Sequence, residues 1–323
     1  MALLTNTETR YGQKGLRESL SDIIYDISPE DTPFMSSIGR TGAKQTLEEW
    51  QTDVLASADG DNAQLEGDDV SFDAITPSVR VGNFTQISSK AIIVSETVDT
   101  VDKAGRKSVT ARQIARKGAE LKRDQEKIFL RPQGGVSGGA GTPRRLASLN
   151  AFLKTNVVKH STGSNPTYTS GVPGSARVDG SSTAAFTETM LKSAIQSVWT
   201  EGGTPRILMV GPVNKQRVSG FSGIATRNFD LSNVSPRATA IIASADVYVS
   251  DFGTLRVIPN RFQRERDAWV LDWELLDQPQ LRPMKVIKLA KTGDATKSYI
   301  RVEYSLRVKQ EAGLGLIADL TVV

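Results

Sequence analysis

Residues 107–135 read KSVTARQIARKGAELKRDQEKIFLRPQGG, and this stretch decides how the rest of the chain is parsed. Ile114, Gly118, Leu121, Gln125 and Ile128 fall at i, i+4, i+7, i+11 and i+14, a narrow apolar seam at helical period. Ser108 or Thr110 can cap the start, because a short oxygen-bearing side chain satisfies amides that a first turn leaves unpaired. Pro132 with Gly134 and Gly135 stops it. The spacing predicts a helix of about 22 residues, roughly 33 Å long at 1.5 Å per residue. Its other faces are basic: residues 103–131 hold ten bases against three acids, Glu120, Asp124 and Glu126.

Upstream of this helix the sign of the charge inverts. Residues 53–73 hold seven acids (Asp53, Asp59, Asp61, Glu66, Asp68, Asp69 and Asp73) and no base. A formal net charge of +4 over 323 residues therefore conceals two opposed blocks. The acids lie between two segments of β character. Residues 46–55 alternate thinly, and the return, PSVRVGNFTQISSKAIIVS, carries Val79, Val81, Phe84, Ile87 and the run Ile92, Ile93, Val94. Two strands joined by a long acidic tip make a hairpin arm, and an isolated two-stranded hairpin is marginal in water, so a partner surface is expected. Earlier still, Leu16, Leu20, Ile23, Ile24 and Ile27 recur at helical spacing, and Pro33, Phe34, Met35 and Ile38 form an apolar knot.

Downstream, GGVSGGAGTPRR reads as a glycine hinge and residues 161–182 as a polar Ser/Thr/Gly-rich loop. Helices are expected in RRLASLNAFL, in AAFTETMLKSAIQSVWTEGG and from Gly211-Pro212, and strands in RILMV, ADVYVSD, GTLRVIPN, DAWVLDW, MKVIKLA and YIRVEYSLRVKQE. The second half therefore alternates helix and strand, and the fold class is α+β. With 38% hydrophobic and 24% charged residues a sizeable core is expected.

Composition and motif exclude much chemistry. The chain has no cysteine, and His160 is its only histidine, so thiolate sites and multi-histidine metal sites are excluded within one chain. Aromatic residues, at 6%, are too sparse for a single-strand stacking platform. Gly135-Val136-Ser137-Gly138-Gly139 matches G-x-S-x-G, but a helix precedes it where a nucleophile elbow needs a strand, and no acid lies between Ser137 and His160. Glu66, Asp68 and Asp69 lack the spacing of a cation loop, and the basic helix lacks the aromatic interleaving and the Gln or Asn pairs of a base reader. The opening MALLTNTETRYGQ has no signal-peptide pattern, and no apolar run approaches the about eighteen residues of a membrane helix. No catalytic, cofactor-binding or metal residue is expected.

The order arm, acidic hairpin, long basic-faced helix, glycine hinge and α+β core resembles the major capsid proteins of tailed bacteriophages, the HK97-like lineage shared with encapsulins. More narrowly, TPFMSSIGR, VSDFGTLRVIPNRF and VEYSLRVKQEAGLGLIADL are similar to the SU10-type phage capsid family. The resemblance implies an N-arm over 1–43, an extended E-loop over 44–94, a P-domain with its spine helix over 95–138, and an A-domain over 139–297. It further implies P-domain strands over 298–313 and a C-terminal A-domain strand over 314–323. It implies a structural, non-enzymatic subunit of hexamers and pentamers, closing an icosahedral head in the host bacterial cytoplasm around double-stranded DNA held by weak non-specific contacts. Scaffolding, portal and decoration proteins are further implied partners; a membrane is not. Inter-subunit contacts are expected from Pro33, Phe34 and Met35, from Trp50, Asp59, Asp61, Glu66, Asp68 and Asp69, and from Arg112, Arg116, Lys117, Lys122 and Arg123. Some members of the lineage weld subunits through a lysine–asparagine isopeptide; Lys90 and Lys103 lie in the right region, but no pair maps and no cross-link is expected. An encapsulin-like shell, or a nucleic-acid-binding protein using helix 103–131, are the alternative readings.

Overall fold

The computed structural model describes residues 31–67, 69, 72, 74–101, 108–221 and 246–322. The helix expected over 16–27, Asp68, Asp73 and Lys103 lie outside the described residues. In chain order the first elements are α1 (Pro33–Ser37), β1 (Gly39–Gly42), β2 (Leu47–Thr52), β3 (Val79–Phe84), β4 (Gln86–Ser95), α2 (Glu96–Thr100) and α3 (Val109–Leu130). Then come α4 (Leu149–Phe152), β5 (Val157–Lys159), β6 (Tyr168–Thr169), β7 (Val172–Pro173), α5 (Glu188–Thr200), β8 (Ile207–Val210) and α6 (Pro212–Ser219). The last are β9 (Val247–Ser250), β10 (Gly253–Pro259), β11 (Ala268–Leu271), β12 (Leu276–Lys288), β13 (Ala295–Tyr304), β14 (Arg307–Val308) and β15 (Gly315–Ala318).

The long helix α3 has the predicted bounds. Ser108 Oγ accepts the Ala111 amide at 3.2 Å, and the helix ends at Leu130, two residues before Pro132. Leu121 and Gln125 of the predicted seam are buried, and near the end burial widens to Glu126, Phe129 and Leu130. There the helix is enclosed on two sides: Phe129 meets Phe34 of α1 at 5.7 Å and Tyr304 of β13 at 5.4 Å between ring centres.

Two sheets carry the fold. A five-stranded sheet runs β1-β12-β13-β4, with β14 also pairing β12, and α3 lies on β4 and β13. A six-stranded sheet runs β5-β15-β11-β8-β10-β9. Its central strand β8, the ILMV of RILMV, is buried on both faces: Ile207 and Met209 join the core beneath α3, while Leu208 and Val210 join a second core with Leu191, Ala194 and Ile195 of α5. A strand covered on both faces reads as a continuous apolar run rather than an alternating one.

Three expectations need correction. The hairpin is shorter than its sequence suggested, because β4 leaves it: all ten β4 residues pair antiparallel with β13, and only β2 and β3 pair with each other. The glycine hinge is a stitched turn. Gly135 N donates to Pro173 O at 2.8 Å, Val136 bridges Arg145 and Gly139 bridges Thr142, while an added Cβ at Gly134 would overlap the Gly174 carbonyl. In RRLASLNAFL only Leu149–Phe152 is helical.

The 161–182 segment is pinned to the body. Arg177, with a fully enclosed side chain, lies 2.6 Å from the equally enclosed Asp319, whose other oxygen accepts Gly180 N at 2.8 Å. Asp179 meets Arg264 at 2.8 Å, and Arg264 meets the buried Asp267 at 2.7 Å.

Candidate inter-subunit surfaces

The apolar knot is the first surface to place, and it faces inward. Pro33 sits in the first turn of α1, where its missing N–H costs nothing. Thr32 makes no side-chain cap, so the Phe34 and Met35 amides look elsewhere. They find Glu126, in the next-to-last turn of α3: Oε1 accepts Phe34 N at 2.8 Å and Oε2 accepts Met35 N at 2.7 Å. Burial pushes the Glu126 carboxyl above the ordinary range, against the pull of its donors. Phe34 and Met35 are themselves buried, with the Phe34 ring 5.7 Å from Phe129 and 5.8 Å from Trp273. Their expected contact with a neighbour is therefore corrected: both side chains are spent on their own core, and only half-buried Pro33 retains surface.

The hairpin divides into a bound root and a bare tip. At the root Trp50 is half-buried, its ring 6.0 Å from Phe152, so this contact too is made within the chain. The Asn83 side chain stitches β3 down: Oδ1 accepts Ala147 N at 2.7 Å and Nδ2 donates to Leu306 O at 2.7 Å. Glu48 meets Arg307 at 2.7 Å. Beyond Thr52 and Val79 no helix or strand is formed among the described residues, and Asp53, Asp59, Asp61, Glu66 and Asp69 are exposed. So are the tip's large apolar side chains: Val54 74%, Leu65 79%, and Leu55, Phe72 and Ile75 each 94%. The sequence reading counted the acids and missed these; their signal was a large apolar residue recurring every few positions inside a polar segment.

The bases expected to receive acids are partly engaged already. On α3, Arg116 and Lys122 are exposed, while Arg112, Lys117 and Arg123 are half-buried. Lys117 lies 2.7 Å from Glu120, and Arg123 sits over the Phe262 ring at 5.5 Å. A second basic surface went unrecognised in the sequence. Lys90 of β4 turns toward α3 and pairs with Asp124 at 2.7 Å, so the alternate residues Ile87, Ser89, Ala91 and Ile93 turn to the opposite face. Across from them on β13 lie Glu303, Arg301, Tyr299 and Lys297, and across from these on β12 lie Arg282, Lys285 and Ile287. Glu303 is held by Arg144 and by Arg282, the latter at 2.6 Å, while no acid of the described residues pairs with Lys285 or Arg301. The result is a three-strand face with cations set among exposed Ile87 and Ile93.

Ser137 is exposed, in an open depression of about 300 Å³ lined by Ile87, Gly138, Thr142 and Arg144, with no histidine or carboxylate in its wall. Among the described residues no group of three or more His, Cys, Asp or Glu is arranged to hold a metal, and no helix is long and apolar enough to cross a membrane.

The chain matches the SU10 major capsid protein family over residues 3–321. The major capsid protein of Escherichia phage Phieco32 is 43% identical over 123 residues, a match spanning 38% of this chain and 35% of that relative's length. The capsid asymmetric unit of Cyanophage A-1(L) superposes with a TM-score of 0.66 at 13% identity, covering 95% of this chain and 97% of that one. The SrpI encapsulin of Synechococcus elongatus PCC 7942 superposes at 0.56 and 12% identity, over 95% and 94% of the two chains. At such identities the likeness carries the fold, which is the HK97-like capsid fold, α+β in composition. Matched nearly end to end and folded in that way, this bacteriophage capsid chain belongs to the SU10 major capsid protein family.

Proposed function

We propose that the chain builds hexamers and pentamers of an icosahedral head by laying its hairpin tip across the P-domain of a neighbouring copy. Residues 44–85 act as the E-loop, with 53–78 its reaching part; because β4 and β12 both pair with β13, the five-stranded sheet and α3 form the P-domain, and the six-stranded sheet with its helices the A-domain. The observation that carries this reading is the tip. Five large apolar side chains, each 74–94% exposed, stand among acids on a segment its own chain leaves uncovered. So many large apolar side chains left almost fully exposed on one segment are the raw material of an interaction site. A tip on one subunit and a receiving face on the next is a heterologous contact, which closes rings.

The receiving face is the neighbour's second basic surface, the side of β4, β13 and β12 turned away from α3. Exposed ion pairs are worth about 0–1 kcal/mol each, so charge sets register while apolar burial supplies most of the affinity. Many such contacts, each weak enough to break and re-form, let errors be corrected before the shell closes in the host cytoplasm around double-stranded DNA.

Negative-stain microscopy and sedimentation of the full chain test this. The wild type is expected to form closed shells, and Leu55→Ser with Phe72→Ser to give folded subunits that close none. A wild type that stays a compact monomer at high concentration, or a double variant that assembles like it, overturns the reading.

A further inference from the structure

Glu126 stands apart from the other acids of α3. It is wholly buried, and no base of the described residues answers its charge. A buried, unpaired carboxylate is costly, and apolar side chains of similar volume would hold Phe34 and Met35 against the core without that cost. What the carboxylate does instead is join three parts of the molecule. It caps α1 through the Phe34 and Met35 amides, and its Oε1 also accepts Asn260 Nδ2 at 2.6 Å. Asn260 follows β10, its amide donates to Val210 O of β8 at 2.9 Å, and its Oδ1 accepts Phe262 N at 2.9 Å. Asn260 is thus fixed to the six-stranded sheet, as α3 is fixed to the five-stranded one, and α1 leads directly into β1 at the edge of the latter.

We propose that Glu126 is the pin of this joint: a positioning residue that sets the orientation of the two sheets and couples it to the seating of α1. The geometry gives the pin a direction that packing lacks. Two oxygens accept three N–H groups from two segments, and hydrogen bonds are angle-dependent where apolar contacts are not. A carboxylate is required, since the glutamine amide has one acceptor oxygen and turns N–H toward N–H at the other position. The consequence for a shell rests on the assembly proposed above. Copies must hold one inter-sheet angle for rings to close, and the pin narrows that angle.

Amide exchange of the unassembled full chain reads the joint itself, and microscopy of assembled material reads its consequence. In Glu126→Gln the Phe34 and Met35 amides should exchange about tenfold faster or more, with the β13 amides unchanged. Asn260→Ala is the decisive variant, because the hydrogen bonds link Asn260 to α1 only through the Glu126 carboxylate. Coupling requires it to speed the same two amides and to give shells of mixed size and curvature. Unchanged Phe34 and Met35 exchange in Asn260→Ala overturns the pin, as do shells identical to wild type from both variants. If Glu126→Gln does not fold, Asn260→Ala alone decides. A failure of wild type to form shells sinks the assembly reading and leaves the exchange result standing on its own.

Discussion

The tip at 53–78 and the segment at 161–182 are alike as sequence in being polar and loop-like, the first through its acids and the second through Ser, Thr and Gly. In the structure they part company. The second is clasped by Arg177 and Asp319, tied by Tyr168 Oη to Phe152 O at 2.6 Å, and folded back as β6 and β7. It also touches the hairpin root: Gly171 O accepts Gly82 N at 3.1 Å. Gly171 sits at φ 80°, its Cα face against Arg80 O, where a side chain has neither the backbone nor the room. The tip's bonds are exposed by contrast: Val54 N to Asp53 and Asp61 N to Asp59 within it, and at its base Ser78 to Gln51 and Gln310 Nε2 to Asp53 O at 3.5 Å. Ordering a residue costs about 1–2 kcal/mol of backbone entropy. A polar segment settles when a buried, long-range partner within its own chain offsets that cost. The clasped segment has one; in the assembly proposed above the tip's comes from another copy.

The largest expected effect breaks the clasp. Arg177→Ala leaves the buried Asp319 with only the more distant Arg266, at 3.7 Å, and should destabilise the subunit by about 3–5 kcal/mol in urea unfolding. Asp319→Asn added to Arg177→Met should recover part of the loss, since Asn tolerates the positive φ of position 319. A change below about 1 kcal/mol would remove the clasp as the reason the two segments differ.

A smaller effect reads the same clasp through pH. Burial pushes Asp267 up to about 6, only partly offset by Arg264. Burial also raises Asp179 and Asp319, but Arg264 with Arg266 and Arg177 at the first, and Arg177 with the Gly180 and Ser161 amides at the second, together outweigh it and leave both below the ordinary range. The signs are therefore opposite. Asp267 contributes stability that is present below the unfolded aspartate value of about 3.9 and is lost as pH rises through about 6. Asp179 and Asp319 contribute above the unfolded value and lose it on further acidification. In the wild type, stability should decline between about pH 4 and 7 by at most about 3 kcal/mol from this group, and Asp267→Asn should remove that part of the slope. An unaltered slope would assign the pH dependence elsewhere.

What the sequence disclosed was whatever is decided locally. The bounds of α3 follow from a seam, a cap and a proline, and β8 from an apolar run short enough to be a strand. The partner of β4 was beyond reach, because its alternation fits β2 and β13 equally well and β13 lies some two hundred residues away. Glu126 looked like one acid diluting a basic helix; its partners are 91 and 92 residues upstream and 134 downstream. A hint was present, since Glu126 precedes Phe129 and Leu130 by three and four positions and so shares their buried side. Trp50 and Phe34 were assigned to a neighbour because each stood in a segment that looked like an arm, and no local feature distinguishes a root from a tip.

The smallest effect concerns charge on the tip. Replacing Asp59, Asp61, Glu66 and Asp69 by their amides removes exposed acids far from the clasp, so subunit stability should stay within about 0.5 kcal/mol. Assembly followed by light scattering should slow at low salt, because in the proposed assembly these acids face a basic surface on the neighbour and steer the encounter. The slowing should fade as the screening length falls from about 10 Å at 0.1 M salt to about 3 Å at 1 M. Wild type and variant would then assemble alike in high salt, where the apolar side chains of the tip act alone. Equal rates at every salt concentration would strip the acids of any part in register and leave Val54, Leu55, Leu65, Phe72 and Ile75 as the whole of the tip's attraction.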